Sequence, residues 1–243
     1  MKKTGFTLAE ILISLTILGV IAALVLPALK TDVDKNTWAQ GLKTSESRLT
    51  NGFKQMMALE GVESLFDTNL WTNNVSNQTE EGDVTTLSTG IKDDMQKYFS
   101  FNNVIEGVTD KAKPQTILNA ENSDMTNTIR FYLGNSSTIN VAFKKQTDNV
   151  CTQAQDFCNP AANIILDVNG DKGPNIIGKD IYRFWLNDDG QLYPYGSAAV
   201  AAYDSTTKHW SEACSGKTIE GKDITGYECT DRVIQEGYKI TYN

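Results

Sequence analysis

The sequence predicts an α+β protein in which one long N-terminal helix packs on an antiparallel β-sheet. Three observations lead to this prediction. An uncharged apolar run fills residues 11–29, a stripe of apolar residues at helical spacing follows it, and short β-branched or aromatic segments alternate with turn residues in the second half of the chain. With 243 residues, of which 40% are hydrophobic, the chain is long enough to build one sizeable core beyond the apolar run.

The apolar run from Ile11 to Leu29 contains 19 residues and no charged side chain. At about 1.5 Å per residue it spans roughly 28 Å as a helix, which is close to the thickness of the hydrocarbon layer of a membrane. Lys2 and Lys3 precede it, and Glu10 lies at its start. Because a charge in such a segment costs about 2.5–3.5 kcal/mol to insert, Glu10 is predicted to be functional. The alternative is an ordinary secretory signal peptide.

The N-terminus resembles the processing site of type IV prepilins and of the pseudopilins of type II secretion, through the residues Gly5-Phe6-Thr7-Leu8-Ala9-Glu10. The resemblance covers about the first 30 residues. It implies that a membrane peptidase cleaves after Gly5 and methylates the new amine of Phe6. It also implies a structural role for the chain, as one subunit among like subunits in a filament.

Three residues are assigned to assembly: Glu10, Gly19 and Pro27. The amine of Phe6 in one subunit is expected to pair with Glu10 of a neighbour, which favours correct register because an unpaired buried charge is costly. Gly19 weakens the helix by roughly 1 kcal/mol relative to alanine, and Pro27 removes the hydrogen bond to the carbonyl of Ala23. The resemblance implies that the segment between Gly19 and Pro27 unwinds on packing, whereas the simpler alternative is a fixed kink.

The helix is predicted to continue to about Glu60. Apolar residues recur at intervals of four, seven, four and three, which places them on one helical face: Trp38, Leu42, Leu49, Phe53 and Met56. Gly61 is a plausible end because glycine tolerates the left-handed conformation that terminates many helices. The simplest interpretation is therefore one helix from Phe6 to about Glu60, of which the second half packs against a head.

The remaining elements are short. Residues 67–90 are rich in Asn, Thr and Ser with no clear period and are predicted to form a surface excursion that joins helix to sheet. A second helix is predicted over Ile91–Phe101, and Asp188-Asp189-Gly190 is predicted to be a hairpin turn leading into Gln191–Tyr193. The predicted strands are Ile129–Leu133, Ile139–Phe143, Ile164–Val168, Ile181–Leu186 and Tyr238–Tyr242.

These predictions divide the chain into residues 1–5 as a leader, 6–30 as a transmembrane or filament-core helix, 31–60 as an amphipathic helix and 61–243 as an exported α+β head. Residues 1–30 hold three lysines and one glutamate, which leaves 19 basic and 29 acidic residues for the rest, a net charge of −10. This acidity argues against nucleic acid as a partner. The N-terminal lysines favour retention of that end in the cytoplasm and export of the head to the periplasm.

Four cysteines lie in the predicted head: Cys151, Cys158, Cys214 and Cys229. In an oxidising compartment they are expected to pair, and four cysteines allow three connectivities. The local pairs Cys151–Cys158 and Cys214–Cys229 are favoured because they close small loops; buried free thiols are the alternative. A zinc site fits poorly, since the chain has no C-x-x-C and a single histidine, His209.

A polar segment from Asp167 to Asp180 offers oxygen ligands at alternate positions, as calcium prefers. The expected ligands are Asp167, Asn169, Asp171 and Asp180. The segment departs from an EF-hand loop, because Lys172 stands where glycine is expected and Gly178 where the bidentate glutamate belongs. The alternative is an Asx turn that needs no metal.

Little in the sequence suggests an enzyme. His209 lies in a loop without a nucleophile signature, and no glycine-rich phosphate loop is present. The predicted function is that of a structural subunit, with no required cofactor. Its predicted partners are like subunits, a prepilin peptidase, the inner-membrane assembly machinery and, before assembly, membrane lipid. The alternative from another class is an exported binding module or enzyme held by an uncleaved anchor.

Overall fold

The computed structural model describes residues 5, 7–78, 84, 88–112, 123–134, 137–146, 157, 159–170, 172–203, 209–214 and 226–242. The chain divides into two compact units, residues 1–37 and residues 38–243. The first unit contains the apolar part of the N-terminal helix. The second unit, called the head below, contains the rest of that helix, the sheet and the shorter helices.

Helix α1 extends from Leu8 to Glu60, 53 residues with Pro27 inside, so the predicted long helix is confirmed. Gly61 ends it with a φ of 70°. The Val62 N–H donates to the Met57 carbonyl across this turn at 3.1 Å, which satisfies one of the carbonyls that a helix end leaves free.

The predicted apolar stripe of α1 is confirmed in the head. Leu42, Leu49, Phe53 and Met56 are fully buried, and Trp38 is partly buried against the same core. Burying a large apolar side chain contributes about 1.5–3 kcal/mol, so this stripe is a main source of the free energy that holds α1 to the sheet. The sheet side of this core uses alternate strand residues, among them Phe131, Val141, Ile164 and Phe184.

Within the described residues, the sheet has six antiparallel strands in the order of the chain, so each strand pairs with the next. The strands are β1 (Phe101–Ala112), β2 (Ser123–Leu133), β3 (Thr138–Phe143), β4 (Pro160–Asp167), β5 (Ile181–Asn187) and β6 (Leu192–Pro194). The other helices are α2 (Thr89–Tyr98), α3 (Ala198–Tyr203), α4 (Trp210–Ala213) and α5 (Cys229–Gln235). The predicted α+β class is therefore confirmed.

The sheet buries apolar residues on both faces. On β5, Tyr182 and Phe184 belong to the core that includes α1, whereas Ile181 and Trp185 belong to a second cluster. Arg183 lies between Ile181 and Trp185, with its guanidinium 4.4 Å from the centre of the Tyr195 ring. This alternation of side chains between faces is the period of two expected of a strand.

The predicted surface excursion over residues 67–90 is wrong for part of its length. A short 3₁₀ helix covers Leu65–Asp67, and a π-helix covers Leu70–Val75. Trp71 is fully buried, and its Nε1 donates to the Lys144 carbonyl at 3.0 Å. Apolar residues at both ends of the π-helix anchor it to the core, although the Asn- and Thr-rich composition predicts a loop.

The predicted strand Tyr238–Tyr242 is also wrong. It forms no ladder, and Tyr238 has a φ of 58°, which no strand residue adopts. Ile240 and Tyr242 are buried against the main core. The alternation of apolar residues here reflects packing of an irregular C-terminal tail.

Several boundaries also differ from the predictions. Helix α2 begins at Thr89, where the Ser88 hydroxyl accepts from the Ile91 N–H at 3.1 Å, and it ends at Tyr98. Strand β1 was not predicted from the sequence. It begins at Phe101, the last residue of the predicted helix. The hairpin turn at 188–190 is confirmed, with Gly190 at a φ of 76° and β6 one residue later than expected.

Candidate functional site

The predicted cleavage position lies just before α1. Gly5 is exposed, and a Cβ built on it meets no other atom within 4 Å. Nothing in the described part of the subunit therefore requires glycine at this position. Phe6, the residue predicted to become the new N-terminus, lies outside the described residues.

Thr7 and Glu10 cap the start of α1 with reciprocal hydrogen bonds. The backbone N–H and the hydroxyl of Thr7 each donate to Glu10 Oε2 at 2.8 Å, and the Glu10 N–H donates to Thr7 Oγ1 at 3.3 Å. This is the capping box expected from a T-x-x-E sequence at a helix start. This role of Thr7 was not predicted from the sequence, although the T-x-x-E spacing was sufficient to predict it. In the isolated subunit the Glu10 carboxylate is thus held by its own helix.

The apolar run presents its side chains outward. Large apolar residues between 47% and 74% exposed occur throughout the run, among them Ile11, Leu12, Leu15, Leu18, Val20, Leu24 and Leu26. The hydroxyls of Ser14 and Thr16 donate to carbonyls four residues back, at 2.7 and 2.8 Å, so these polar groups are satisfied within the helix. Among the described residues, α1 is the one helix long and apolar enough to cross a membrane, by length and composition.

Gly19 and Pro27 both lie within the helix. A Cβ at Gly19 would meet no atom within 4 Å, so glycine is not there to admit a neighbouring side chain of the same subunit. The Thr31 hydroxyl donates to the Pro27 carbonyl at 3.1 Å. Unwinding between these two residues on assembly stays a prediction about packed subunits.

A disulfide joins Cys214, after α4, to Cys229, the first residue of α5, with a Cα–Cα distance of 5.1 Å. It is one of the two local pairs predicted; Cys151 and Cys158 lie outside the described residues. Both sulfurs belong to buried residues, and the Arg232 guanidinium donates to the Cys214 carbonyl at 2.5 Å. Gly178 packs against this bridge, since a Cβ there would lie 2.9 Å from the Cys229 Cβ.

Replacing both Cys214 and Cys229 by serine is expected to lower the free energy of unfolding of the head by roughly 2–4 kcal/mol, because the bridge restricts the unfolded chain. Urea unfolding of purified residues 31–243 measures the difference. The reduced wild-type head, which also loses the predicted Cys151–Cys158 pair, should be no more stable than the variant. Equal stability of the oxidised wild type and the variant would show that the bridge does not form in solution.

The acid segment begins with an Asx turn. The Asp167 carboxylate accepts from the N–H groups of Asn169 and Gly170 at 3.1 and 2.8 Å. Asp180 is fully buried and accepts from the N–H groups of Asn175 and Ile176 at 2.8 and 2.6 Å. The Asn169 side-chain amide also donates to Asp180, at 3.1 Å, and therefore ties the two ends of the segment together.

These two carboxylates are buried close to each other. Burial raises the pKa of Asp167 to about 7; the N–H groups of Asn169 and Gly170 and the charge of Arg130 oppose this rise, and the charge of Asp180 adds to it. Burial likewise raises the pKa of Asp180, against the hydrogen bonds that it accepts. Backbone donors thus compensate the negative charge in part, as the Asx-turn alternative requires.

The segment also contains oxygens that suit a hard cation. The side-chain oxygens of Asn169 and Asn175 are buried and accept no hydrogen bond from any residue that the structure describes. Asn175, with a φ of 54°, is not among the ligands predicted from the sequence. Nowhere in the described part of the chain do three or more His, Cys, Asp or Glu side chains converge so that they could hold a metal ion. Asp171 lies outside the described residues.

His209 has a capping role. Its Nδ1 accepts from the Ser211 N–H at 3.3 Å at the start of α4 and lies 2.7 Å from the Ser211 hydroxyl. The carboxylates at the β5–β6 turn are occupied too, since Asp188 accepts from the Asn159 amide at 3.1 Å and Asp189 from the Gln191 N–H at 2.9 Å. These contacts hold loops and helix ends in place.

Comparison with known proteins identifies the N-terminus. The family model of the prokaryotic N-terminal methylation motif matches residues 1–26. No curated protein and no solved structure matches the chain significantly. The matched segment includes Gly5, Glu10 and Gly19 and lies within the first structural unit. The motif and the apolar helix fit a membrane-anchored precursor and point to a structural subunit. The chain thus has, over residues 1–26, the prepilin-type cleavage and methylation motif of type IV pilins and pseudopilins.

Proposed function

We propose that this chain is a structural subunit of a filament, either a type IV pilus or a type II secretion pseudopilus. A prepilin peptidase cleaves it after Gly5 and methylates Phe6. The mature subunit then assembles through its N-terminal helix, and the head remains outside the cytoplasmic membrane. The observation that supports this proposal is the methylation motif at residues 1–26, which extends into a helix with exposed apolar side chains.

The charges at the N-terminus give this proposal its mechanism. Cleavage creates a positively charged amine at Phe6, one helical turn from Glu10. In the uncleaved subunit, Thr7 holds the Glu10 carboxylate through two donors at 2.8 Å. In the filament the amine of an incoming subunit competes for that carboxylate. Both pairings are charge-assisted, but only the amine brings a positive charge that neutralises Glu10 at low dielectric, so the exchange favours the neighbour that arrives in register.

This function determines where the chain resides and which partners it contacts. The precursor lies in the bacterial inner membrane with its head in the periplasm, and the filament then extends in the periplasm or onto the cell surface. Partners are like subunits, the peptidase, the inner-membrane assembly machinery and, before assembly, lipid. The apolar residues from Ile11 to Leu26 support both the lipid contact and the later contact between subunits.

Determining the N-terminus of the mature protein tests this function. We expect the chain purified from membranes to begin at a methylated Phe6, detected as the N-terminal peptide by mass spectrometry. A signal peptidase would instead cut within the second half of the apolar run, near residues 22–28. An N-terminus at Met1 in the mature protein would favour an exported binding module or enzyme with an uncleaved anchor.

We also propose that the segment from Asp167 to Asp180 binds one calcium ion. Asp167 and Asp180 would supply carboxylate oxygens, Asn169 and Asn175 amide oxygens, and Asp171 a further carboxylate. The buried, hydrogen-bond-free oxygens of Asn169 and Asn175 support this choice, because calcium takes six to eight oxygen ligands, amides included. Calcium would offset the repulsion between the two buried carboxylates.

Calcium is expected to stabilise the head by about 2.7 kcal/mol at a hundredfold excess of free ion over its dissociation constant. Thermal melting of residues 31–243 with calcium or chelator measures this shift. Asn175→Gly preserves the positive φ and deletes the amide oxygen, and Asp171→Ala deletes a carboxylate; both should reduce the response. Asp93→Asn, on the exposed side of α2, is the matched control for lost charge. Equal melting temperatures with calcium and with chelator would contradict calcium binding and would support an Asx turn that needs no metal.

A further inference from the structure

The head contains a small pocket between α1, the segment that follows α2 and the end of β2, with a volume of about 240 Å³. Its floor is apolar and buried, formed by Leu49, Phe99 and Leu133. Its rim is polar and exposed, with Arg48, Asn51 and Gln55 from α1 and Ser100 opposite. Pockets for drug-sized ligands have about 300–1,000 Å³, so this pocket is better matched to a single side chain.

The close approach of α1 to Phe99 depends on Gly52. A Cβ at Gly52 would lie 2.1 Å from the Phe99 ring, so a larger residue would displace that ring from the floor of the pocket. Phe53 holds Phe99 from the side, with the ring centres 5.0 Å apart and the planes at 62°. The floor is therefore shaped by packing within one subunit.

Arg48 is the charged group of the rim. The positions three and four residues away on α1 are Thr44, Ser45, Asn51 and Gly52, so no carboxylate lies at a helical neighbour of Arg48. No described residue forms an ion pair with it. By contrast, the neighbouring Glu46 and Glu60 both accept hydrogen bonds from tyrosines of the head, at 2.9 and 2.8 Å. Within the described residues, the pocket thus offers a cation without an ion-pair partner, on a head that is strongly acidic.

We propose that this pocket receives a carboxylate side chain from a second copy of the chain. The guanidinium of Arg48 matches a carboxylate with two parallel N–H donors, and the amides of Asn51 and Gln55 add further donors. The apolar floor takes the aliphatic stem of the incoming residue. This inference rests on the proposed function, since assembly is what brings copies of the head together.

Charge complementarity identifies the second copy as the occupant. Beyond residue 30 the chain has 29 acidic and 19 basic residues, so packed heads repel one another unless specific pairs offset that repulsion. A copy of the same head supplies exposed carboxylates in excess. A contact between copies through Arg48 offsets part of this repulsion. Because the contact is directional, it also helps to fix the rotation of one head relative to the next.

The test uses filaments of the full chain with Arg48→Lys, treated with a carbodiimide. The reagent condenses an amine with a carboxylate in contact, with loss of water to the reagent, and so records the pair as an amide. We expect a link from position 48 to an Asp or Glu peptide of another copy. Separately isotope-labelled subunits distinguish this link from one within a copy. Lys54, whose Nζ donates to Gln191 of the same head at 3.1 Å, is the internal control and should form no such link.

Arg48→Glu provides the second arm. Filament yield should fall at least tenfold, while the melting temperature of the head stays unchanged because the side chain has no partner among the described residues. Wild-type yield for Arg48→Glu together with no link at position 48 would overturn this inference and leave the proposed function intact. A link to a different protein would overturn the second copy as occupant. Failure of the unsubstituted chain to form filaments would overturn the proposed function and this inference with it.

Discussion

Replacing Gly5 by leucine is expected to leave full-length precursor in the membrane. A peptidase pocket that fits glycine rejects a larger side chain by on the order of 10–200-fold per misfitting group. The subunit itself accepts a side chain at this position, because a Cβ on Gly5 meets no atom within 4 Å. The substitution therefore separates recognition by the peptidase from folding. Immunoblots of membrane fractions measure the ratio of precursor to mature chain.

Gly19→Ala is the matched control for this experiment. Its Cβ also meets no atom within 4 Å, and it lies beyond the expected cut. It should mature at the wild-type rate. Normal maturation of Gly5→Leu would show that processing after residue 5 does not occur as proposed, whereas equal loss of maturation in both variants would indicate a general defect in membrane insertion.

Replacing Glu10 by alanine is expected to abolish filaments while leaving cleavage and insertion intact. Removing the carboxylate saves about 2.5–3.5 kcal/mol of insertion cost, so the variant should reside in the membrane at least as stably as the wild type. The incoming amine loses its partner and remains a buried, unpaired charge, which costs about 3–5 kcal/mol and would reduce assembly several-hundredfold. Quantifying sheared filaments against total mature subunit measures this loss.

Glu10→Gln separates the charge from the capping box. Glutamine also accepts from the Thr7 N–H, so the helix start is preserved without the negative charge. We expect Glu10→Gln to assemble as poorly as Glu10→Ala. Wild-type filament yield for Glu10→Gln would instead assign the defect of Glu10→Ala to the lost cap at Thr7, and the register role of Glu10 would then be wrong.

The parts of the fold that follow from short-range periodicity are those that the sequence predicted well. Helix α1 repeats its apolar residues at intervals near 3.6, and its stripe from Leu42 to Met56 is buried as expected. Strands β3 and β5 are compact, β-branched or aromatic runs and lie within one residue of the predicted bounds.

The parts that were missed depend on partners distant in the chain. Strand β1 mixes apolar residues with Asn, Glu, Gly and Asp, and its pairing with β2 shifts register three times. Such a strand is stabilised by its neighbour rather than by its own composition. The same holds at the acid segment, where Asn175 adopts a positive φ and donates its N–H to Asp180. By contrast, the capping box formed by Thr7 and Glu10 can be predicted from four residues, because all of its contacts are local.

The contact between the C-terminal tail and Gly178 has a consequence for the order of folding. The Tyr242 hydroxyl donates to the Gly178 carbonyl across 64 positions of the chain, and Cys229 packs on the same glycine, which no larger residue can replace there. A chain is synthesised from its N-terminus, so the surroundings of the acid segment are complete only once Tyr242, 64 positions beyond Gly178, has been added. A head that lacks Tyr242 is therefore left with an unfinished surface around Asp180, and quality control by proteases can distinguish such a fragment from a finished subunit.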